Sequence, residues 1–442
     1  MKKKDYKAFT LHNYRNIPQI ASLSAADKET IEVIGKVLPF KTNNYVVEEL
    51  IDWNNIAADP VFTLNFPRRE MLLPEQYEKA KELLRQNLDT KSLQHEINKI
   101  RTELNPNPAG QEHNVPIFNR HKLFGIQHKY RETILLFPRQ GQTCHAYCTF
   151  CFRWPQFSGL DGKKFVMKDM FEVYNAYLAA HPRITDALFT GGDPMTMHVK
   201  FLKPYIEQLL NSEQIRSIRI GTKSLAYWPY RFLTDDDSDE IMRLFERVVK
   251  SGKNLAIMAH FNHPVELSTP AVQKAIARIR STGAQIRTQS PVLRHINDDP
   301  ALWAQMWRMQ VNLNCIPYYM FIARDTGAKH YFELPLEQCW NIFRMAYQQV
   351  SGICRTVRGP SMSANPGKIQ VLGVGEIKGE KVFVLRFIQG RNPDWAARPF
   401  FAKYNPDATW FDELEPAFDE KKFFFEDELA QYLQDKPEYI AE

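Results

Sequence analysis

The chain has 442 residues, 44% of them hydrophobic and 24% charged, which suits a globular protein with one large core and additions around it. A formal charge of +6 is mild for that length and no basic stripe concentrates it, so a nucleic-acid partner is not expected. No apolar run approaches the roughly 20 residues of a membrane helix. The lysines of Met1–Tyr6 have no apolar stretch behind them, so no membrane partner and no secretory leader are expected, and the expected compartment is cytoplasmic.

The first third reads mainly as helices, with apolar residues at helical spacing over 24–35, 74–87 and 92–104. A Pro/Asn/Gly-rich break over 105–110 ends this segment. Strands and helices then alternate. Strands are expected over 133–137, 187–190, 217–221, 255–259, 285–288 and 316–321, with amphipathic helices over 167–180, 201–210, 239–250, 270–282 and 301–309. Repeats of about 30 residues are what parallel strands with crossover helices require. The expected fold is therefore α/β: six such units forming an open or partial (β/α)6 barrel. Three parts are expected, a mainly helical segment over 1–125, the barrel over 126–372 and a C-terminal extension over 373–442. The extension is acidic and aromatic, and its aromatic residues favour packing on the body.

Of the six cysteines, Cys315, Cys339 and Cys354 stand apart among apolar neighbours and read as core thiols. The other three follow the first strand as Cys144-His145-Ala146-Tyr147-Cys148-Thr149-Phe150-Cys151. Three thiolates at Cys-x3-Cys-x2-Cys spacing can ligate three irons of a 4Fe-4S cube, leaving the fourth iron open to a small molecule. A zinc knuckle is the alternative, but it needs a further Cys or His pair and only His145 is at hand. One βα unit later comes Thr190-Gly191-Gly192-Asp193-Pro194 at a strand's carboxyl end, where parallel α/β folds bind ligands. Adjacent glycines let backbone groups approach a ligand closely.

The cysteine spacing, with Tyr147 and Phe150 before its second and third thiols, resembles the radical S-adenosylmethionine (SAM) superfamily. From about Asp52 to Val371 the chain is similar to the lysine 2,3-aminomutase family. The resemblance is carried by Gly191-Gly192-Asp193, Ile218-Arg219-Ile220-Gly221-Thr222, His260-Phe261-Asn262-His263-Pro264, Gln289-Ser290-Pro291-Val292-Leu293-Arg294, Asn297-Asp298 and Pro317-Tyr318-Tyr319. It implies a radical-SAM barrel with the cluster on Cys144, Cys148 and Cys151, and SAM contacts from Gly191, Gly192 and Asp193. It also implies pyridoxal phosphate bound as a Schiff base to Lys368, with phosphate contacts from Lys129, Tyr130 and Arg131. Read alone, Lys368 is any solvated lysine, and most of the family's glycines before it are replaced here by 361–366. The implied reaction begins when one electron cleaves SAM to methionine and a 5′-deoxyadenosyl radical. That radical takes a β-hydrogen from the bound amino acid, nitrogen migrates from C2 to C3, and hydrogen returns. An electron donor such as flavodoxin or ferredoxin, an amino-acid substrate and a homo-oligomer are the partners implied.

Arg153 matches the family arginine that grips the substrate carboxylate, for which a planar guanidinium is suited. The family's two lysine-recognising aspartates fall on Arg324 and Ser361. A buried substrate ammonium would be repelled by Arg324. The expected substrate is therefore an acidic amino acid such as glutamate. The alternatives are lysine, to which neighbouring Asp325 lends weight, and a radical-SAM reaction without pyridoxal phosphate.

Overall fold

The computed structural model describes residues 3–86, 88–106, 112–160, 165–167 and 171–434. Asn87, residues 107–110 of the expected break, 168–170 of the expected helix and 435–442 of the tail lie outside the described residues.

The longer N-terminal helices are Ala25–Val37, Pro74–Arg85 and Thr90–Glu103. Ser24 caps the first by accepting from the Asp27 N–H, and Asp89 caps the third by accepting from the N–H groups of Lys91 and Ser92. Their apolar faces share a core containing Val33, Ile34, Tyr77, Ile97 and Ile100. This segment also holds a small antiparallel pair, Ala8–Thr10 with Lys41–Asn43, that helical periodicity cannot reveal.

Among the described residues the main sheet has eleven strands. The six expected strands lie side by side in chain order and parallel, as Thr133–Leu136, Asp186–Phe189, Ser217–Thr222, Asn254–His260, Gln285–Val292 and Ile316–Ile322. Helices alternate with them. Ser238–Lys250 shows the logic: Ile241, Leu244, Phe245 and Val248 repeat at helical spacing and are buried. Ile126–Tyr130 adds an antiparallel edge beside the first parallel strand.

Beyond Ile316–Ile322 the sheet continues where the sequence pattern loosens. Arg358–Ser363 pairs parallel with it, and Gly367–Ile377, Glu380–Gly390 and Pro399–Lys403 follow antiparallel. The expected boundary at 372 falls inside the Gly367–Ile377 strand, so the C-terminal part is joined to the barrel region through one strand's hydrogen bonds. Residues after it turn back on the sheet and bury Trp410, Phe411, Phe423 and Phe425. Among the described residues no helix is long and apolar enough to cross a membrane.

Candidate active site

The cysteine loop leaves the first parallel strand through a short turn, Arg139–Gly141. The N-terminal segment clamps it from outside. Tyr147 N–H donates to the Lys41 carbonyl at 2.8 Å, Thr149 N–H to Leu64 at 3.0 Å, and Asn43 Nδ2 and Tyr6 Oη both donate to the His145 carbonyl. All three thiols are free and all three line one cavity of about 350 Å³. Burial pushes Cys148 up to about 12 and Cys151 up to about 11, while Lys223 pulls the first back and Arg153 the second. Thiols so placed lose their protons when a metal takes over the charge. Among the described residues no three His, Cys, Asp or Glu side chains close round a single ion. Ligands to three separate irons do not need to.

Gly191 and Gly192 pack against this loop. A Cβ on Gly192 would lie 2.5 Å from both Thr143 N and Thr143 O, and Gly191 has φ +135° with Gln142 in the way. Asp193 N–H donates to the Thr143 carbonyl at 2.7 Å, so the glycines first serve a close approach of backbone to backbone. The Asp193 carboxylate is buried and accepts from the Thr222 and Ser224 hydroxyls and the N–H groups of Met195 and Lys223. With its oxygens so engaged, Asp193 positions the loop from the cavity wall. Opposite, Lys223 Nζ bonds Glu266 and Asn262, both at 2.7 Å, and lies over the Tyr227 ring. His260 Nε2 is buried without a hydrogen-bond partner on the same wall. Three free thiols, the glycine turn and an orphaned imidazole nitrogen in one cavity fit a cluster with a polar co-ligand.

A second cavity, of about 470 Å³, adjoins the first, and Arg153, Arg219, Arg324 and Lys368 line both. Lys368 is the second residue of the Gly367–Ile377 strand, and its Nζ lies 4.0 Å from the Tyr319 ring centroid. Burial, reinforced by the Arg219 charge, pushes its amine down to about 7. A neutral lysine amine is a nucleophile at physiological pH. Lys129 and Tyr130 line this second cavity, Lys129 donating to the Ala364 carbonyl. Arg131 does not. It occupies the turn between paired Tyr130 and Thr133, where its side chain is exposed and pairs with Glu132 at 2.6 Å. Arg391, distant in sequence, lines the cavity instead and donates to Asn365 and Asn114. These basic groups around a nucleophilic lysine fit a phosphate-bearing aldehyde.

Arg153 and Arg324 both open into this space, with guanidinium carbons 5.0 and 5.6 Å from the centroid of one ring, Phe152. Arg324 donates to the Ser363 carbonyl at 2.8 Å and lies 3.5 Å from Asp325. Ser361 is not brought to the site. It is buried, pairs in register with Gln370, and lines neither cavity, whereas Ser363 lines both. The sequence also gave no sign that Trp410 and Asp412 reach the second cavity beside Arg324.

The chain matches no family model. A protein of Aquifex aeolicus (strain VF5), provisionally named L-lysine 2,3-aminomutase, is 30% identical over 394 residues, 89% of this chain and 92% of that one. The glutamate 2,3-aminomutase of Clostridioides difficile (strain 630) is 25% identical over 316 residues, 71% of this chain and 63% of that one. Among solved structures, a radical SAM methyltransferase from Sphaerobacter thermophilus aligns at TM-score 0.37 and 14% identity, over 53% of this chain and 68% of that one, too loosely to carry weight. The identity to the Aquifex protein, with the free cysteine loop, defines a radical SAM enzyme of the aminomutase type, an isomerase. The chain belongs to the lysine 2,3-aminomutase family. Membership implies SAM and a 4Fe-4S cluster.

Proposed function

We propose that the protein is a pyridoxal phosphate-dependent 2,3-aminomutase acting on an acidic α-amino acid such as glutamate. The observation that carries the substrate class is the pair of guanidiniums, Arg153 and Arg324, facing one space with Lys368 and sharing the Phe152 ring. Arg153 binds the α-carboxylate and Arg324 the carboxylate at the far end, each by charge-assisted hydrogen bonds. Lys368, neutral above about pH 7, would hold the pyridoxal carbonyl, and Lys129, Tyr130 and Arg391 would bind its phosphate. Cys144, Cys148 and Cys151 would hold the cluster. When bound, the cluster and SAM supply a hydrogen-abstracting radical, and pyridoxal phosphate supplies the carbonyl that carries the migrating nitrogen. Leu135, Leu188 and Phe152 keep water from the boundary between the two cavities.

A partial (β/α)6 barrel is the shape this reading requires. It is supported by Leu135, Leu188, Arg219, Met258, Gln289 and Tyr319, one from each successive parallel strand, all lining the first cavity. The reading also takes the electron from a small redox protein such as flavodoxin or ferredoxin, and places the chain in the cytoplasm, where its six free thiols stay reduced.

Asp325 and Asp412 beside Arg324 favour lysine as a second reading, since two carboxylates suit a distal ammonium. The test is an anaerobic assay of the reduced enzyme with a panel of amino acids, scored for β-amino products. Glutamate is expected to turn over, and Asp412→Asn is expected to leave that activity in place. Turnover of lysine but not glutamate, lost in Asp412→Asn, overturns the acidic assignment.

A further inference from the structure

We infer that Lys41 raises the reduction potential of the cluster held by Cys144, Cys148 and Cys151, making one-electron reduction easier. Lys41 begins the short strand Lys41–Asn43 of the N-terminal segment and lines neither of the two cavities. Its Nζ donates to the Cys144 carbonyl at 2.7 Å and lies 3.3 Å from Thr143 Oγ1, while its own carbonyl accepts from Tyr147 at 2.8 Å. The ammonium is thus fixed against the residue that carries the first thiol.

Lys41 and Cys144 both line a groove of about 440 Å³ that includes none of the glycine turn, Lys368 or the substrate arginines. The other basic side chains of that groove already have carboxylate partners: Lys3 pairs with Asp236, Lys4 with Glu48 and Glu49, and Arg231 with Asp237. Among the described residues, Lys41 forms no ion pair. Lys223, on the cavity side, is compensated by Glu266. Lys41 is therefore an uncompensated, half-buried cation beside the cluster loop.

Reduction adds one electron, and so one unit of negative charge, to the cluster. A fixed cation in a partly desolvated place stabilises that added charge more than it stabilises the oxidised state. Lys41 acts through the field at the cluster and touches no reacting atom, so it is a positioning residue.

The inference rests on the cluster reading, and its test separates the two. Full-length protein, reconstituted anaerobically, is titrated with dithionite while the paramagnetic signal of the reduced cluster is followed. Lys41→Gln is expected to load iron and sulfide as wild type does, and to lower the equilibrium constant for reduction about tenfold, ~59 mV for one electron. Lys41→Arg keeps the charge and is expected to stay near wild type. Equal potentials in Lys41→Gln and wild type overturn the inference, as do equal shifts in the Gln and Arg variants. Should Lys41→Gln not load, Lys41→Met takes its place; if neither loads while Lys41→Arg does, the lysine only holds the loop and the inference is overturned. Wild type that takes up no cluster sinks the cluster reading itself.

Discussion

Lys368→Ala is expected to lose covalent capture of pyridoxal phosphate and about 10³-fold or more of any turnover, because it removes the amine assigned to hold the carbonyl in place. The measurement is visible absorbance retained after gel filtration, with borohydride reduction and peptide mapping to locate the attachment. Lys368→Arg is expected to behave like the alanine variant, since an arginine keeps a long basic side chain but supplies no nucleophilic amine. The pH dependence follows from the direction of the shift. Burial and Arg219 bring the Lys368 amine down to about 7, so it is protonated below that pH and free above it. The rate of pyridoxal phosphate uptake by the apoprotein should therefore rise through about pH 7 and level off, well before an ordinary lysine would become reactive. A rate still climbing steeply at pH 9, or full colour in Lys368→Ala, contradicts this assignment.

Glu266→Ala is expected to give the largest loss of stability. Glu266 is fully buried and accepts from Lys223 Nζ at 2.7 Å and from the backbone N–H groups of Asn262 and His263. Its removal takes the carboxylate from the largely desolvated Lys223 ammonium, which keeps only neutral partners such as Asn262, and leaves two backbone donors unmet at the end of the Asn254–His260 strand. Breaking a buried pair in this way costs about 3–5 kcal/mol. With an unfolding entropy of about 2.1 cal/mol/K per residue, a chain of 442 residues should then melt roughly 3–5 °C lower. Glu266→Gln retains an acceptor for Asn262 and should lose less. Lys223→Met removes the cation instead, so adding it to Glu266→Ala should restore part of the loss, which thermal melting of the four proteins would show.

The clusters that meet in the first cavity were the most legible part of the sequence because each is local. Cys144, Cys148 and Cys151 lie within one loop, and Gly191, Gly192 and Asp193 within one turn, so spacing alone brings each set together. What spacing leaves out is the physical use of the glycines. They meet Gln142 and Thr143, and only the folded backbone shows that the glycine turn and the cysteine loop brace each other. Glu266 sits two residues after the His260–Pro264 string, yet its partner Lys223 comes from the preceding strand's end, a pairing no periodicity encodes.

The six parallel strands were readable from alternation with amphipathic helices. The antiparallel C-terminal strands were not, although one signal was present. Lys378 and Gly379, both with positive φ, join Ile377 to Glu380 as a two-residue hairpin turn between β-branched runs. Reading that turn would have extended the strand back across 372 and removed the expected boundary. Arg131 and Ser361 failed for a different reason. Each was carried over by alignment with a family pattern, and a shift of one or two residues at a turn or strand changes which side chain faces the cavity. Arg391 and Trp410 reach the same space from the C-terminal part by way of the sheet, so only tertiary structure could nominate them.

The same geometry explains why an N-terminal segment of helices and small strand pairs accompanies the sheet. It supplies the carbonyls of Lys41, Thr63 and Leu64 and the side chains of Asn43 and Tyr6 that hold the cysteine loop. Without them the loop has few hydrogen bonds of its own, such as Cys151 N–H to the Cys148 carbonyl at 3.1 Å.

The central claim is that three thiols bind an iron–sulfur cube and leave one iron for SAM. It is tested most directly by metal and sulfide analysis of anaerobically reconstituted protein, wild type beside Cys148→Ala, with the reduced cluster's paramagnetic spectrum recorded before and after SAM is added. The account predicts about four irons and four sulfides per wild-type chain, a spectrum that changes with SAM, and loss of both in the variant. Zinc without sulfide in folded wild type, or an iron content untouched by Cys148→Ala, would contradict it.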